Sequence, residues 1–274
     1  MPRSTLTTPL RLRPGLAVVR RDRQHLQIGV EPPLCAVVPD EPGVRRLLES
    51  LQRGETAIPR TAPARRALDL LVATDLVVDA DLAAEWPALS ARYGASAGAR
   101  RVRRAALVVA LDAPPELTGA LAQLLRTAGL ALGPLEEAAV ALVADHGLVR
   151  RERVDQLLRA DLPHLVVQGG PTAWTVGPFV APGTTACLRC LDAVVSEADP
   201  RYAHLVEQAA GTAAPADPLL RSLALTSAVA DLAAYADGER PLTWAATLTI
   251  GDGLPRHRPV ARHRHCGCSW GAVA

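Results

Sequence analysis

AALVVALDAPPELTGALAQLLRTAGLALGPLEEAAVALVAD, residues 105–145, decides the fold. Ala105 to Leu111 is a continuous apolar run, the pattern of a strand buried on both faces. Pro115, Leu117, Leu121, Leu124, Leu125 and Ala128 then write a helix, with proline at its first position and Gly129 past its end. Leu130 to Leu132 is a short strand, and Ala138 to Ala144 is a second buried one, closed by Asp145. Downstream, Val149 to Ala160 predicts a helix and Leu165 to Val167 another strand. This alternation predicts a parallel sheet with right-handed crossovers. Leu219 to Ala236 reads as a long helix with an alanine-rich buried stripe. Leu242 to Ile250 alternates as a half-buried strand, with Leu242, Trp244, Ala246, Leu248 and Ile250 on one face.

Upstream the pattern differs. Leu16 to Val19, His25 to Val30 and Leu34 to Val38 predict three short strands. Val44, Leu47, Leu48 and Leu51 share one face of a helix that Gly54 ends. Thr61 and Pro63 open a second helix, with Leu68, Leu71 and Val72 inward, and Asp75 to Val78 closes the unit as a wing-like strand. Residues 1–80 therefore predict a winged-helix (α+β) domain. Residues 81–104, punctuated by Tyr93-Gly94-Ala95-Ser96-Ala97-Gly98 and by Arg100, Arg101, Arg103 and Arg104, predict a solvated linker. Residues 105–274 form the α/β domain, so the fold class is α/β with an N-terminal winged-helix unit before a Rossmann-like domain.

The 274 residues are 49% hydrophobic and 21% charged with a net charge of +2, a globular composition. All 30 basic residues of the Lys+Arg count are arginine. No Schiff-base or P-loop lysine can exist here. The near-neutral balance argues against a nucleic-acid binder. No apolar run approaches the length of a membrane span and no secretory signal opens the chain, which predicts a cytoplasmic protein without a membrane partner.

Cys187-Leu188-Arg189-Cys190 and Cys266-Gly267-Cys268 supply four thiols in two tight pairs. Four soft ligands suit tetrahedral zinc, and a four-protein-ligand site has no open position for catalysis. Cys187, Cys190, Cys266 and Cys268 thus predict structural Zn2+. Arg189, Arg262 and Arg264 would offset a tetrathiolate charge, and His263 and His265 are substitute ligands. Cys35 reads as a plain buried thiol. In a Rossmann-like unit the loop after the first strand cradles phosphate with glycines and a helix N-terminus. Here that loop is Asp112-Ala113-Pro114-Pro115-Glu116, with no glycine, two residues lacking an N–H and two anions. No ATP is expected.

Val176-Gly177-Pro178-Phe179-Val180-Ala181-Pro182-Gly183 followed by Thr185-Ala186-Cys187-Leu188-Arg189-Cys190-Leu191-Asp192 resembles the zinc-knuckle stretch of the ubiquitin-activating-enzyme-like (ThiF, MoeB, HesA) group. With Asp199-Pro200 and His265-Cys266-Gly267-Cys268, it is more similar to the ThiF-like leader-peptide-binding proteins of azole-forming (TOMM, RiPP) systems, the partners of cyclodehydratases. The amino-terminal unit resembles their PqqD-like recognition element. Adenylating members keep a glycine-rich loop and a lysine that this chain lacks, which makes the domain a degenerate ThiF-like one, and Asp145 falls near their metal-binding aspartate.

The resemblance implies a non-catalytic subunit that binds a precursor leader peptide and delivers it to a YcaO-type cyclodehydratase. The leader would add to the edge of the third strand, at Leu34, Ala36 and Val38, with Arg65, Arg66 and Asp69 as outer-face contacts of the second helix. The alternative is a ThiF-like adenylating enzyme acting on a peptide or carrier-protein carboxylate. A winged-helix DNA binder is disfavoured, because Pro63 to Thr74 is mostly apolar. Oligomeric state is left open, with a homodimer admissible.

Overall fold

The computed structural model describes residues 9–215 and 217–268. The chain divides into two compact units, Met1–Arg101 and Val102–Ala274.

In the first unit, β1 (Leu10–Leu12) pairs antiparallel with β5 (Val77–Asp79), a pairing across more than sixty residues. β2 (Val18–Arg20), β3 (His25–Ile28) and β4 (Ala36–Pro39) form an antiparallel meander in that order, with β2 and β4 at its edges. α1 (Pro42–Arg53) buries Val44, Leu47, Leu48 and Leu51, and its chain reverses at Gly54, where φ is +69°. α2 (Ala62–Ala73) is capped by the Thr61 hydroxyl, which accepts from the Ala64 N–H. Its buried stripe is Ala64, Ala67 and Leu71; Val72 is 48% exposed, so the inward face is rotated from the one expected.

Residues 81–104 are helical, which corrects the expected linker. They carry α3 (Ala80–Glu85), α4 (Pro87–Tyr93) and most of α5 (Ala97–Ala106). Asp79 caps α3 through the Leu82 N–H, and Pro87 opens α4. Buried Arg13 then binds the end of α4, donating to the Ala91 and Arg92 carbonyls at 2.9 and 2.7 Å. Cations at a helix C-terminus satisfy carbonyls that the helix leaves open. Asp75 accepts from Arg13 at 3.0 Å and from the Ala95 N–H at 2.7 Å. Gly94 has φ +55°, and a Cβ there would lie 2.0 Å from the Asp75 carboxylate, so no other residue fits.

The second unit is a seven-stranded sheet. Its strands are β6 (Val108–Asp112), β7 (Ala131–Leu132), β8 (Val140–Asp145), β9 (His164–Gln168), β10 (Ala173–Val180), β11 (Ala246–Gly251) and β12 (Arg256–Pro259). The order is β12-β11-β10-β9-β8-β6-β7. β7, β6, β8 and β9 run parallel as expected, but β10, β11 and β12 are antiparallel, so the sheet is mixed. Hairpins at Gly169-Gly170 and at Gly251 to Gly253 account for the β9–β10 and β11–β12 pairs, since tight turns join only antiparallel neighbours, whereas β11 reaches β10 through the long segment that carries three helices.

α6 (Pro115–Thr127) and α10 (Pro218–Ala236) cover one face, around Trp174, Phe179, Leu142 and Leu165. α7 (Arg151–Arg159) and α8 (Leu188–Ser196) cover the other, around Val143, Val154 and Val166, and α9 (Tyr202–Ala209) follows α8. α10 is the long helix expected over Leu219 to Ala236, and its 19 residues are long and apolar enough to cross a membrane, where no run of that length was expected; Ala224, Leu225, Ala228 and Leu232 are buried against the sheet.

The alternation expected from Leu242 breaks at Ala245, where φ is +52°. β11 therefore starts at Ala246, leaving Leu242 57% exposed and Thr243 buried. Asp231 holds this bend by accepting from the Leu242 and Thr243 N–H groups and the Thr243 hydroxyl. In the expected charge run, Arg104 is buried in a bidentate pair with Asp237, at 3.1 and 2.7 Å.

Candidate functional site

Cys187 is the N-cap of α8 and Cys190 lies in its first turn. A second segment, beyond β12, brings Cys266 and Cys268 to the same place. The Cys187 Sγ lies 3.8 Å from Cys190 and 3.5 Å from Cys266, the Cys190 Sγ lies 3.3 Å from Cys268, and all four sulfurs fall within 4.8 Å of one another. A tetrahedron with arms of about 2.3 Å has edges of about 3.8 Å, so the donor set fits a four-thiolate metal ion. The cysteines are free, because a disulfide needs sulfurs about 2 Å apart.

Three of the thiols differ in acidity. Cys190 is pulled down to about 4, first by the hydrogen bond that Cys187 donates to it. Cys187 is raised by the same bond and by burial, and burial is the main reason Cys266 is pushed up to about 12. A divalent cation would reverse this by stabilising every thiolate.

The flanking groups are otherwise engaged. Arg189 donates to Asp155 at 2.7–3.0 Å, and Arg262 donates to the Gly183 carbonyl at 2.7 Å. His263 stands outside the sulfur cluster, with Nε2 3.0 Å from Glu197, whose carboxyl it holds below its ordinary range. Cys35 is half-buried in the first unit.

The crevice where a Rossmann-like sheet binds nucleotide lies outside the carboxyl ends of β6 and β8, because the strand order reverses at β6. Pro114 caps α6 and Pro115 is its first residue, so the loop cannot present a run of N–H groups to phosphate. Across the mouth lies Arg153 from α7. It donates to Asp112 at 2.7 Å, to Asp145 at 2.9 Å and to the Asp112 carbonyl at 2.9 Å. The sequence reading missed Arg153, since its partners are 8 and 41 residues away. A cavity of about 550 Å3 remains beside this clamp, lined by Pro114, Glu116, Asp145, His146, Ala214 and Arg221.

In the first unit, Ala36 and Val38 are buried and Leu34 packs against the same core, so these side chains serve the interior. What the edge of β4 offers is backbone. The Asp40 N–H donates to the Gln24 carbonyl at 2.7 Å, continuing the register in which Leu26 faces Val38. Antiparallel alternation then turns Ala36 and Val38 toward β3 and the N–H and C=O of Val37 outward. α2 packs beside β4, with Arg65, Arg66 and Asp69 exposed.

No protein-family model and no curated protein matches the sequence. Solved structures do match. A heterocyclase in complex with substrate and cofactor superposes with a TM-score of 0.71 at 15% identity, over 96% of this chain and 40% of that one. The heterocyclase TruD gives 0.71 at 17% identity, over 96% and 43%. Escherichia coli MccB, solved with AMPCPP and MccA, gives 0.57 at 12% identity, over 94% and 99%. This chain therefore spans about two-fifths of the heterocyclases' length and nearly all of MccB. At these identities the likeness is one of fold, and it covers both units of this chain.

Proposed function

We propose that this chain is a non-catalytic, cytoplasmic leader-peptide-binding subunit of a ribosomal-peptide (RiPP) pathway. It grips a precursor by its leader and delivers it to a YcaO-type cyclodehydratase for azole or azoline formation. The first unit acts as a PqqD-like, winged-helix recognition element and the second as a degenerate ThiF-like scaffold. The observation that carries the reading is the edge of β4 beside α2, unpaired among the described residues.

An extended peptide would add there as a fourth strand, bonding to the Val37 N–H and C=O, while α2 presents Arg65, Arg66 and Asp69 to its side chains. Two net hydrogen bonds contribute about 1–3 kcal/mol. Side-chain anchoring supplies the rest. The β12 edge of the seven-stranded sheet is poorly suited to this. The Val260 N–H bonds to the Ala245 carbonyl, which turns His257 and Pro259 of β12 outward, and Pro259 has no N–H. Proline on an edge strand blocks strand addition.

Zinc fits the four thiolates of Cys187, Cys190, Cys266 and Cys268, and its role is to tie the C-terminal segment to α8. It would take no part in chemistry, because no coordination position stays open. Arg153 and the Pro114-Pro115 loop leave the old crevice without a phosphate cradle. The fold match supports the division of labour: the heterocyclase solved with its substrate and cofactor contains this architecture in two-fifths of its length. On this reading the chemistry belongs to a separate partner.

The cavity of about 550 Å3 and the shared fold with MccB favour one competing reading, an adenylating enzyme. ATP–pyrophosphate exchange with purified protein and precursor separates the two. No exchange, together with saturable leader binding by fluorescence anisotropy, is expected; peptide-dependent exchange would replace the binding reading with the enzymatic one.

A further inference from the structure

On the first unit a cavity of about 310 Å3 lies between α1 and the segment that leads into α2. Arg46 and Arg60 flank it, the hydroxyl-bearing Ser50 and Thr56 line it, and Ile58 stands at its rim, 69% exposed. No carboxylate lines it. Among the described residues, the side chains of Arg46 and Arg60 have no hydrogen bond or ion pair. The neighbouring cations differ: Arg45 and Arg20 hold Asp40, and Arg53 holds Glu55. Asp40 and Glu55 are thus paired with other arginines, and Arg46 and Arg60 line the cavity with no carboxylate among its lining residues. Guanidinium groups with hydroxyl donors match a carboxylate.

Chain connectivity places the cavity at one end of the proposed peptide groove. β4 ends at Pro39, and four residues later Gly43 on α1 lies against Thr61, the cap of α2; a Cβ at Gly43 would fall 2.5 Å from the Thr61 Oγ1. The end of the β4 edge and the start of α2 therefore meet beside this cavity. The dipole of α2, whose N-terminus lies beside the cavity, adds a favourable field for an anion.

We infer that the Arg46–Arg60 cavity is a carboxylate-binding site, which takes an acidic side chain flanking the segment docked on β4, with Ile58 covering an apolar neighbour. Its occupant rests on the peptide-gripping reading; its preference for a carboxylate does not. The uncharged amide of the same size cannot neutralise two guanidinium groups.

The test uses the full chain labelled with 15N and two capped tripeptides, acetyl-Leu-Glu-Leu-amide and acetyl-Leu-Gln-Leu-amide, too short to add as a strand. The arginine Nε–Hε resonances are followed. The glutamate peptide is expected to shift Arg46 and Arg60 together and saturably, and the glutamine peptide to bind at least tenfold more weakly. The glutamate peptide should also shift the backbone amides of Ser50 and Thr56, and Arg46→Gln with Arg60→Gln should abolish those shifts at unchanged melting temperature. Equal responses to both peptides, or shifts at Arg65 and Arg66 with Arg46 and Arg60 unmoved, would overturn the assignment. The Val37 amide, followed with a full-length leader, reports the strand-addition reading separately, so either can fail alone.

Discussion

Arg151 and Asp192 show how much of this molecule's order rests on single buried charges. Arg151 from α7 donates to both Asp192 oxygens, at 2.7 and 2.8 Å, and to the Val149 carbonyl at 2.6 Å. Removing one partner leaves the other charged in the interior. Arg151→Met should cost about 3–5 kcal/mol in urea unfolding, whereas Arg151→Met with Asp192→Leu should cost far less; a double variant as unstable as the single one would contradict this. His164 gives a pH signature. Burial lowers its pKa below 6.5, so it stays neutral in the folded chain while the unfolded chain takes up a proton near that pH. Its contribution is complete above about pH 6.5 and is lost as the pH falls toward the folded value. His164→Gln should flatten the fall in melting temperature on the acid side; an unchanged slope would assign that fall to other groups. At this scale the sequence was readable where chemistry repeats at short spacing, as in the two cysteine pairs. It was opaque where one arginine finds distant partners, as Arg13 and Arg153 do.

Elements were readable where periodicity meets an end signal. Val44, Leu47, Leu48 and Leu51 with Gly54 specify α1, and Pro115 with Gly129 specifies α6. Residues 81–104 were misread because their small residues look like punctuation, while what makes them helical, the Asp79 cap and the Arg13–Asp75 contacts, lies outside the segment. The strand before β11 was misread because a single left-handed residue, Ala245, cancels an otherwise clean alternation. The edge of β4 was visible as an end strand, but only the register shows that Val37 is the residue whose backbone faces outward. This permits a selective substitution. Val37→Pro removes an N–H that makes no ladder bond, so unfolding should change little, while leader binding should weaken about tenfold, the equivalent of one lost hydrogen bond of about 1.4 kcal/mol. Unchanged affinity would move the peptide elsewhere.

For the whole molecule, the α/β order and the four-cysteine cluster follow from the sequence, and the mixed sheet does not, because β10 reads as a motif before it reads as a strand. Zinc is expected at about one ion per chain by elemental analysis, and Cys187→Ser should lower the melting temperature markedly, since metal binding is linked to folding. A metal-free chain of full stability would contradict the four-thiolate assignment. The central claim is that this fold grips a peptide and leaves nucleotide chemistry to others. The most direct measurement titrates the zinc-loaded chain, without nucleotide, into a labelled precursor leader peptide. Saturable micromolar or tighter binding, unchanged by ATP and abolished by deleting residues 1–101, is the predicted result; no saturable binding, or binding that appears only with ATP, would contradict the account.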